Sequence, residues 1–137
     1  MHYWRKRTGP KALTSIHFGG GTPSLIPPND LKHIIKAATT LWSPKTDIEM
    51  GIEANPNDID EAQIKEWRSA GLNRVSIGVQ SFDPQTLKFL GRDHSDVQAR
   101  KAVTLARKWF KNVSADLIFG WRAQSLSAWT KDLNTAL

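Results

Sequence analysis

Cysteine is absent from this chain. Its absence excludes disulfides, thiolate zinc sites, a catalytic thiol and any iron–sulfur cluster held by cysteine from within these residues. Long hydrophobic runs are missing too, none approaching the roughly 18 residues of a membrane span. The opening Met1-His2-Tyr3-Trp4-Arg5-Lys6-Arg7 leads into no apolar stretch, which argues against a signal peptide and for a cytoplasmic location. Nor is there a linker or a low-complexity tract. What is present is ordinary globular composition. The 137 residues, 39% hydrophobic and 23% charged with a mean hydropathy of −0.43, suit one domain spanning 1–137.

Positive charge predominates, with 19 Lys+Arg against 13 Asp+Glu, a net charge of +6 and a pI near 9.8. The densest basic cluster is Arg5-Lys6-Arg7 with Lys11. Lys32, Lys36, Lys65, Arg68, Arg100, Lys101, Arg107 and Lys108 are dispersed over expected helix surfaces. No RNA-binding, zinc-finger or helix-turn-helix pattern accompanies them. A solvated basic surface is therefore expected, with no nucleic-acid partner.

Four short β-branched runs recur, Thr14–Phe18, Ile48–Glu53, Arg74–Val79 and Val113–Phe119, and a helical pattern follows each. After the first, Leu31, Ile34, Ile35, Ala38, Leu41 and Trp42 fall on one helix face, and Pro27-Pro28-Asn29 marks its start. After the second, Asp60 with Gln63 predicts a capping box, Ile64 and Trp67 the buried face, and Gly71 the stop. After the third, Asp83-Pro84 opens a short helix ending near Gly91. Ser95 with Gln98 then predicts a second capping box, on a helix burying Ala99, Ala102, Val103 and Ala106. The fourth run leads to a last helix whose buried face is expected to be Leu126, Trp129, Leu133, Ala136 and Leu137. Trp4, Trp42, Trp67, Trp109 and Trp129 are expected to pack in the core or between helices. The alternation predicts an α/β fold of parallel (β/α) units, either an open sheet or part of a barrel.

In both architectures the site lies beyond the carboxyl ends of the strands. There the chain places Gly19-Gly20-Gly21-Thr22-Pro23, Glu53-Ala54-Asn55-Pro56, Gln80-Ser81 and, before Gly120, Asp116. Successive glycines let backbone groups approach a ligand. A polar group at nearly every strand end suits a small-molecule pocket. Asp116, between Ala115 and Leu117, is expected to be buried and so to need a partner or a ligand. His2, His17, His33 and His94 have no metal-ligand spacing.

Ser15-Ile16-His17-Phe18-Gly19-Gly20-Gly21-Thr22-Pro23-Ser24-Leu25 resembles a strand and loop of radical S-adenosylmethionine (SAM) proteins related to oxygen-independent coproporphyrinogen III oxidase. The resemblance continues through Ile52–Pro56, Gly71–Phe82, Leu90–Ser95 and Val113–Gly120, nearly the whole chain. The wording EANP, GVQSF and LGRDHS is closer to the haem-chaperone branch. The resemblance implies an open (β/α)6 barrel of which this chain supplies the second to fifth strands. It implies SAM as cofactor, with Gly20, Gly21 and Thr22 at the methionine amino group and Glu53 at the methionyl or ribosyl part. Gln80 and Asp116 match ribose positions, and Arg92 matches the cation for the SAM carboxylate.

Three departures stand against that pattern. The family's C-x-x-x-C-x-x-C motif for a [4Fe–4S] cluster is absent. Its place would lie upstream of Met1, and Tyr3–Pro10 looks like the helix that follows it, so Met1 is expected to be internal to a longer frame. Trp121-Arg122-Ala123-Gln124-Ser125 stands where the family has Leu-Pro-Gly-Gln-Thr. Ala106–Phe110 lacks the usual helix-ending glycine, which predicts a shortened or reshaped turn. The leading expectation is a fragment carrying most of the SAM pocket but no radical chemistry. The alternatives are a haem-binding module using His17, His33 or His94, a cluster-free enzyme using Glu53 and Asp116 as acid and base, and an inactive piece whose exposed strand edges favour aggregation or docking with a complementary chain.

Overall fold

The computed structural model describes all 137 residues. A short helix α1 (His2–Thr8) precedes strand β1 (Leu13–Phe18). Helix α2 (Pro28–Leu41) leads to β2 (Pro44–Ala54), and α3 (Glu61–Ala70) to β3 (Arg74–Gln80). Two helices follow β3, α4 (Pro84–Phe89) and α5 (Asp96–Trp109). Strand β4 (Asn112–Leu117) and helix α6 (Leu126–Ala136) complete the chain. The strands form one wholly parallel sheet in the order β1-β2-β3-β4. Each crossover advances one strand in the same direction, so right-handed connections carry their helices to one face.

The local signals explain the helix starts. Asp60 accepts the Gln63 N–H at 2.7 Å and Asp83 the Thr86 N–H at 2.7 Å, with Pro84 at the first helical position. Ser95 and Gln98 form a complete capping box. At Asp60 only half the expected box forms: no return bond runs from the Asp60 N–H to the Gln63 side chain, whose amide nitrogen is buried without a partner. Gly71 closes α3 in the left-handed region at φ 103°, open to glycine at little cost. Without a glycine, α5 ends at extended Phe110, and only Phe110 and Lys111 separate it from β4.

The sheet divides its residues strictly by face. Ile16, Phe18, Ile52, Ala54, Val75, Ile77, Val79, Val113, Ala115 and Leu117 join the apolar core with Leu31, Ile35, Ile64, fully buried Trp67, Ala99, Ala102 and Ala106 from the helices. Alanines on α5 let that helix approach the sheet closely. The intervening positions are His17, Glu49, Gly51, Glu53, Arg74, Ser76, Gly78, Ser114 and Asp116, polar or glycine throughout. A parallel sheet covered on both faces has near-continuous apolar strands. Here the second face is uncovered and hydrogen-bonded across strands: Arg74 to Glu49 at 2.9 Å, Ser114 to Ser76 at 3.0 Å and Ser76 to Asp116 at 2.9 Å.

Four expectations are corrected. Asp116 is exposed, because it lies on the polar face of an edge strand, where its charge stays hydrated. Trp4 is 59% exposed and Trp109 is also exposed, so only Trp67 of the tryptophans is fully buried. Strand β4 ends at Leu117, leaving Phe119 outside it and exposed. On α6 the predicted apolar face is largely open: Leu126 (80% exposed), Leu133, Ala136 and Leu137 are exposed and Trp129 half-buried. The buried residue of α6 is Asp132, at 4% exposure, whose carboxylate accepts from Ser81 Oγ at 2.6 Å and Phe82 N–H at 2.8 Å. The helix is held by a polar anchor at the end of β3, and no element packs over its outer stripe.

Candidate functional site

At the carboxyl ends of the strands lies a cavity of about 200 Å³, lined by Gly21, Thr22, Pro23, Ser24, Glu53, Ala54, Asn55, Gly78, Gln80, Arg92 and Asp116. Six of the seven predicted site residues line it. The seventh, Gly20, does not, but its N–H donates to Glu53 Oε2 at 3.2 Å. Gly20 and Gly21 have φ of 83° and 58°, the backbone that turns the chain at the end of β1.

Glu53, at the end of β2, is held at both oxygens. His17 Nε2 lies 2.9 Å from Oε1, and the Gly20 N–H serves Oε2. The hydrogen bond from His17, with the Gly20 amide next, holds this carboxyl below its ordinary value. Gly19 leaves room for that pair, since a Cβ there would stand 2.8 Å from Glu53 Oε1.

Gln80 has φ 67°, and the Ser81 N–H donates to Val79 O at 2.9 Å, so Gln80 is the central residue of a three-residue γ-turn. Such a backbone is costly for a side-chain-bearing residue, and strain of this kind concentrates at functional positions. His94 steadies the turn. Its ring is buried and its Nε2 lies 3.0 Å from the same Val79 carbonyl, so His94 is spent as a strut. Arg92 sits in the loop between α4 and α5 and donates to Asn55 Oδ1 at 3.0 Å, while its buried Nε has no partner. No carboxylate of the chain pairs with this guanidinium.

Sequence reasoning missed three contributors. Asn55 orients Arg92, Gly78 leaves space for the Gln80 side chain, and His17 clamps Glu53. Asn55 and His17 lie inside the family-like motifs, but their contacts join residues 37 and 36 positions apart. The departure at 121–125 forms a turn of its own. Gly120 N–H donates to Gln124 Oε1 at 2.6 Å, Ala123 takes φ 70°, and Trp121 packs on Phe89 with ring centroids 4.9 Å apart.

A family model described as the radical SAM superfamily matches residues 6–136. The chain belongs to that superfamily. The haem chaperone HemW of Bacillus subtilis is 36% identical over 133 residues, 96% of this chain and 35% of that protein. The mitochondrial radical S-adenosyl methionine domain-containing protein 1 of Danio rerio is 40% identical over 126 residues, 91% of this chain and 28% of that protein. Coproporphyrinogen III oxidase HemN of Escherichia coli, described as a radical SAM enzyme, superposes with a TM-score of 0.79 at 25% identity, covering 91% of this chain and 29% of that one. The chain thus spans about a third of the length of these relatives. Its sheet is the radical SAM fold, with four parallel strands and no closure.

The superfamily implies SAM and, in intact members, a [4Fe–4S] cluster. The cluster does not fit the residues present, since none of the 137 is a cysteine. The donor set of the cavity does fit SAM. An unpaired guanidinium and a fixed carboxylate share it, as a zwitterionic amino-acid group requires, and Gln80 and Asp116 supply acceptors for hydroxyls.

Proposed function

We propose that this chain is the SAM-binding part of a haem-chaperone-type radical SAM protein and that it carries out no radical chemistry by itself. Arg92 would take the SAM carboxylate, and Glu53 with the Gly20–Thr22 loop the amino group. Gln80 and Asp116 would take the ribose hydroxyls. One observation carries the reading: Arg92 is held by Asn55 and meets no carboxylate of the protein, in a cavity whose other charged groups are Glu53 and Asp116. An oriented cation left unpaired beside anions suits a ligand bearing both charges.

Calorimetric titration with SAM tests it. Arg92→Lys loses the planar fork and should weaken binding by about tenfold, roughly 1.4 kcal/mol. Equal affinity in wild type and variant would overturn the carboxylate assignment. Anaerobic reconstitution with iron and sulfide should yield neither a stoichiometric cluster nor SAM cleavage, and the opposite result would overturn the proposal.

Haem enters as a further proposed ligand through the similarity to the haem chaperone HemW of Bacillus subtilis. Of the histidines that would serve as axial ligands, His94 is buried on Val79 O and His17 is engaged by Glu53, which leaves His33 on α2. Soret titration of His33→Ala decides that version. Strands β1 and β4 have one unpaired edge each, where a complementary chain would add. No helix is long and apolar enough to cross a membrane. We propose a cytoplasmic location, to be distinguished by imaging from the mitochondrial one named for the zebrafish relative.

A further inference from the structure

We propose that His17 is a positioning residue for the ligand's cationic amine, acting through Glu53. The inference rests on the reading of the cavity as a SAM site and adds to it a residue that does not line the cavity. His17 lies on the polar face of β1, opposite Gly51 of the neighbouring strand, and its Nε2 reaches Glu53 Oε1 at 2.9 Å. With the Gly20 N–H on Oε2, the carboxylate is fixed at both ends. A carboxylate has about four lone-pair sites, so two donors leave two for an incoming ammonium. A free glutamate side chain would surrender rotamer freedom on binding, and one already clamped has less to lose.

The surroundings are cut to this pair. Gly19 follows Phe18 directly, and any Cβ there would fall 2.8 Å from Glu53 Oε1 and 3.1 Å from His17 Nε2. Gly51, beside the imidazole, would place a Cβ 3.3 Å from Nδ1. Two glycines thus flank one hydrogen bond. Both partners are about half exposed, so the contact is not a stability device. Its effect is on orientation. The lowered pKa of Glu53, for which the His17 hydrogen bond is the first cause, agrees with this geometry.

The test uses the whole chain, with SAM titrated by calorimetry and the Glu53 carboxyl followed by carbon NMR against pH. The titratable and charged groups around Glu53 are His17 from β1 and, across the cavity, Arg92 from the α4–α5 loop and Asp116 from β4. His17→Phe should weaken SAM binding by about fivefold, the worth of one modest hydrogen bond, and move the Glu53 titration upward. His17→Gln, whose amide still donates, should restore most of both. Gly19→Ala supplies an independent disturbance: the flexible end of Glu53 gives way, the fold survives, and affinity falls as in His17→Phe. Binding within twofold in His17→Phe together with an unmoved Glu53 titration overturns the proposal. If wild type binds no SAM, the reading of the cavity fails. The Glu53 titration then still decides whether His17 holds that carboxylate, and no shift in His17→Phe refutes it.

Discussion

Replacing Asp132 by alanine is expected to release helix α6 while leaving the four-stranded sheet intact. The carboxylate is 4% exposed and accepts from Ser81 Oγ at 2.6 Å and from the Phe82 N–H at 2.8 Å. Hydrogen bonds to a charged group contribute about 1.5–3 kcal/mol each, and truncation strands two donors, one on fully buried Ser81. Water reaching those donors once the helix lifts limits the loss. A net cost of about 3 kcal/mol corresponds to an opening equilibrium raised by roughly 150-fold. Little else resists the opening, because Leu126, Leu133 and Leu137 face solvent and an 11-residue helix is marginal alone. Hydrogen exchange read by mass spectrometry on residues 126–137 measures this directly. In Asp132→Ala these amides should exchange about a hundredfold faster, with those of β2 and β3 unchanged. Asp132→Asn, which keeps one acceptor oxygen, should fall between. A double-mutant cycle with Ser81→Ala should show coupling of about 1 kcal/mol or more. Exchange in α6 within threefold of wild type would refute the polar anchor and assign the helix to its contacts through Ala128 and Trp129.

Gln80→Gly relieves a backbone at φ 67° and should raise the melting temperature by roughly 2–4 °C while weakening SAM binding. Affinity preserved in that variant would remove Gln80 from the site. Ala123 sits at φ 70° where the family pattern has glycine, so Ala123→Gly should stabilise by about 0.5–1 kcal/mol in a thermal melt, and destabilisation would contradict the strain argument. Glu53 is depressed in the folded chain by His17 and Gly20. Its contribution is therefore present in full above the ordinary glutamate range and is lost as pH falls through the lowered folded value. A carbon-NMR titration should place the midpoint below that of an unfolded reference peptide, and a midpoint at or above it would refute the clamp.

Much of the architecture was legible. Asp60, Asp83 and Ser95 mark helix starts because a side-chain oxygen three residues before an unpaired amide can satisfy it locally. The strand-end residues Glu53, Gln80 and Asp116 share one rim because parallel strands all finish on the same side. Helix α6 shows where the same logic fails. Its helical spacing predicts a buried apolar stripe, but β4 is the sheet edge, and nothing lies beyond it to cover Leu126 and Leu133. The apolar neighbours of Asp116 predict its burial, yet residues 115 and 117 face the helices while 116 faces the open side.

The sequence alone determined the order of the elements, their caps, the superfamily motifs and the lack of any thiolate. All of these rest on neighbours along the chain or on composition. Only the tertiary structure decided which polar groups meet. His17 reaches Glu53 across 36 positions, Arg92 reaches Asn55 across 37, and Ser81 reaches Asp132 across 51. Such partners are chosen by crossover geometry, which sets strand against strand, and no local pattern of residues encodes that distance.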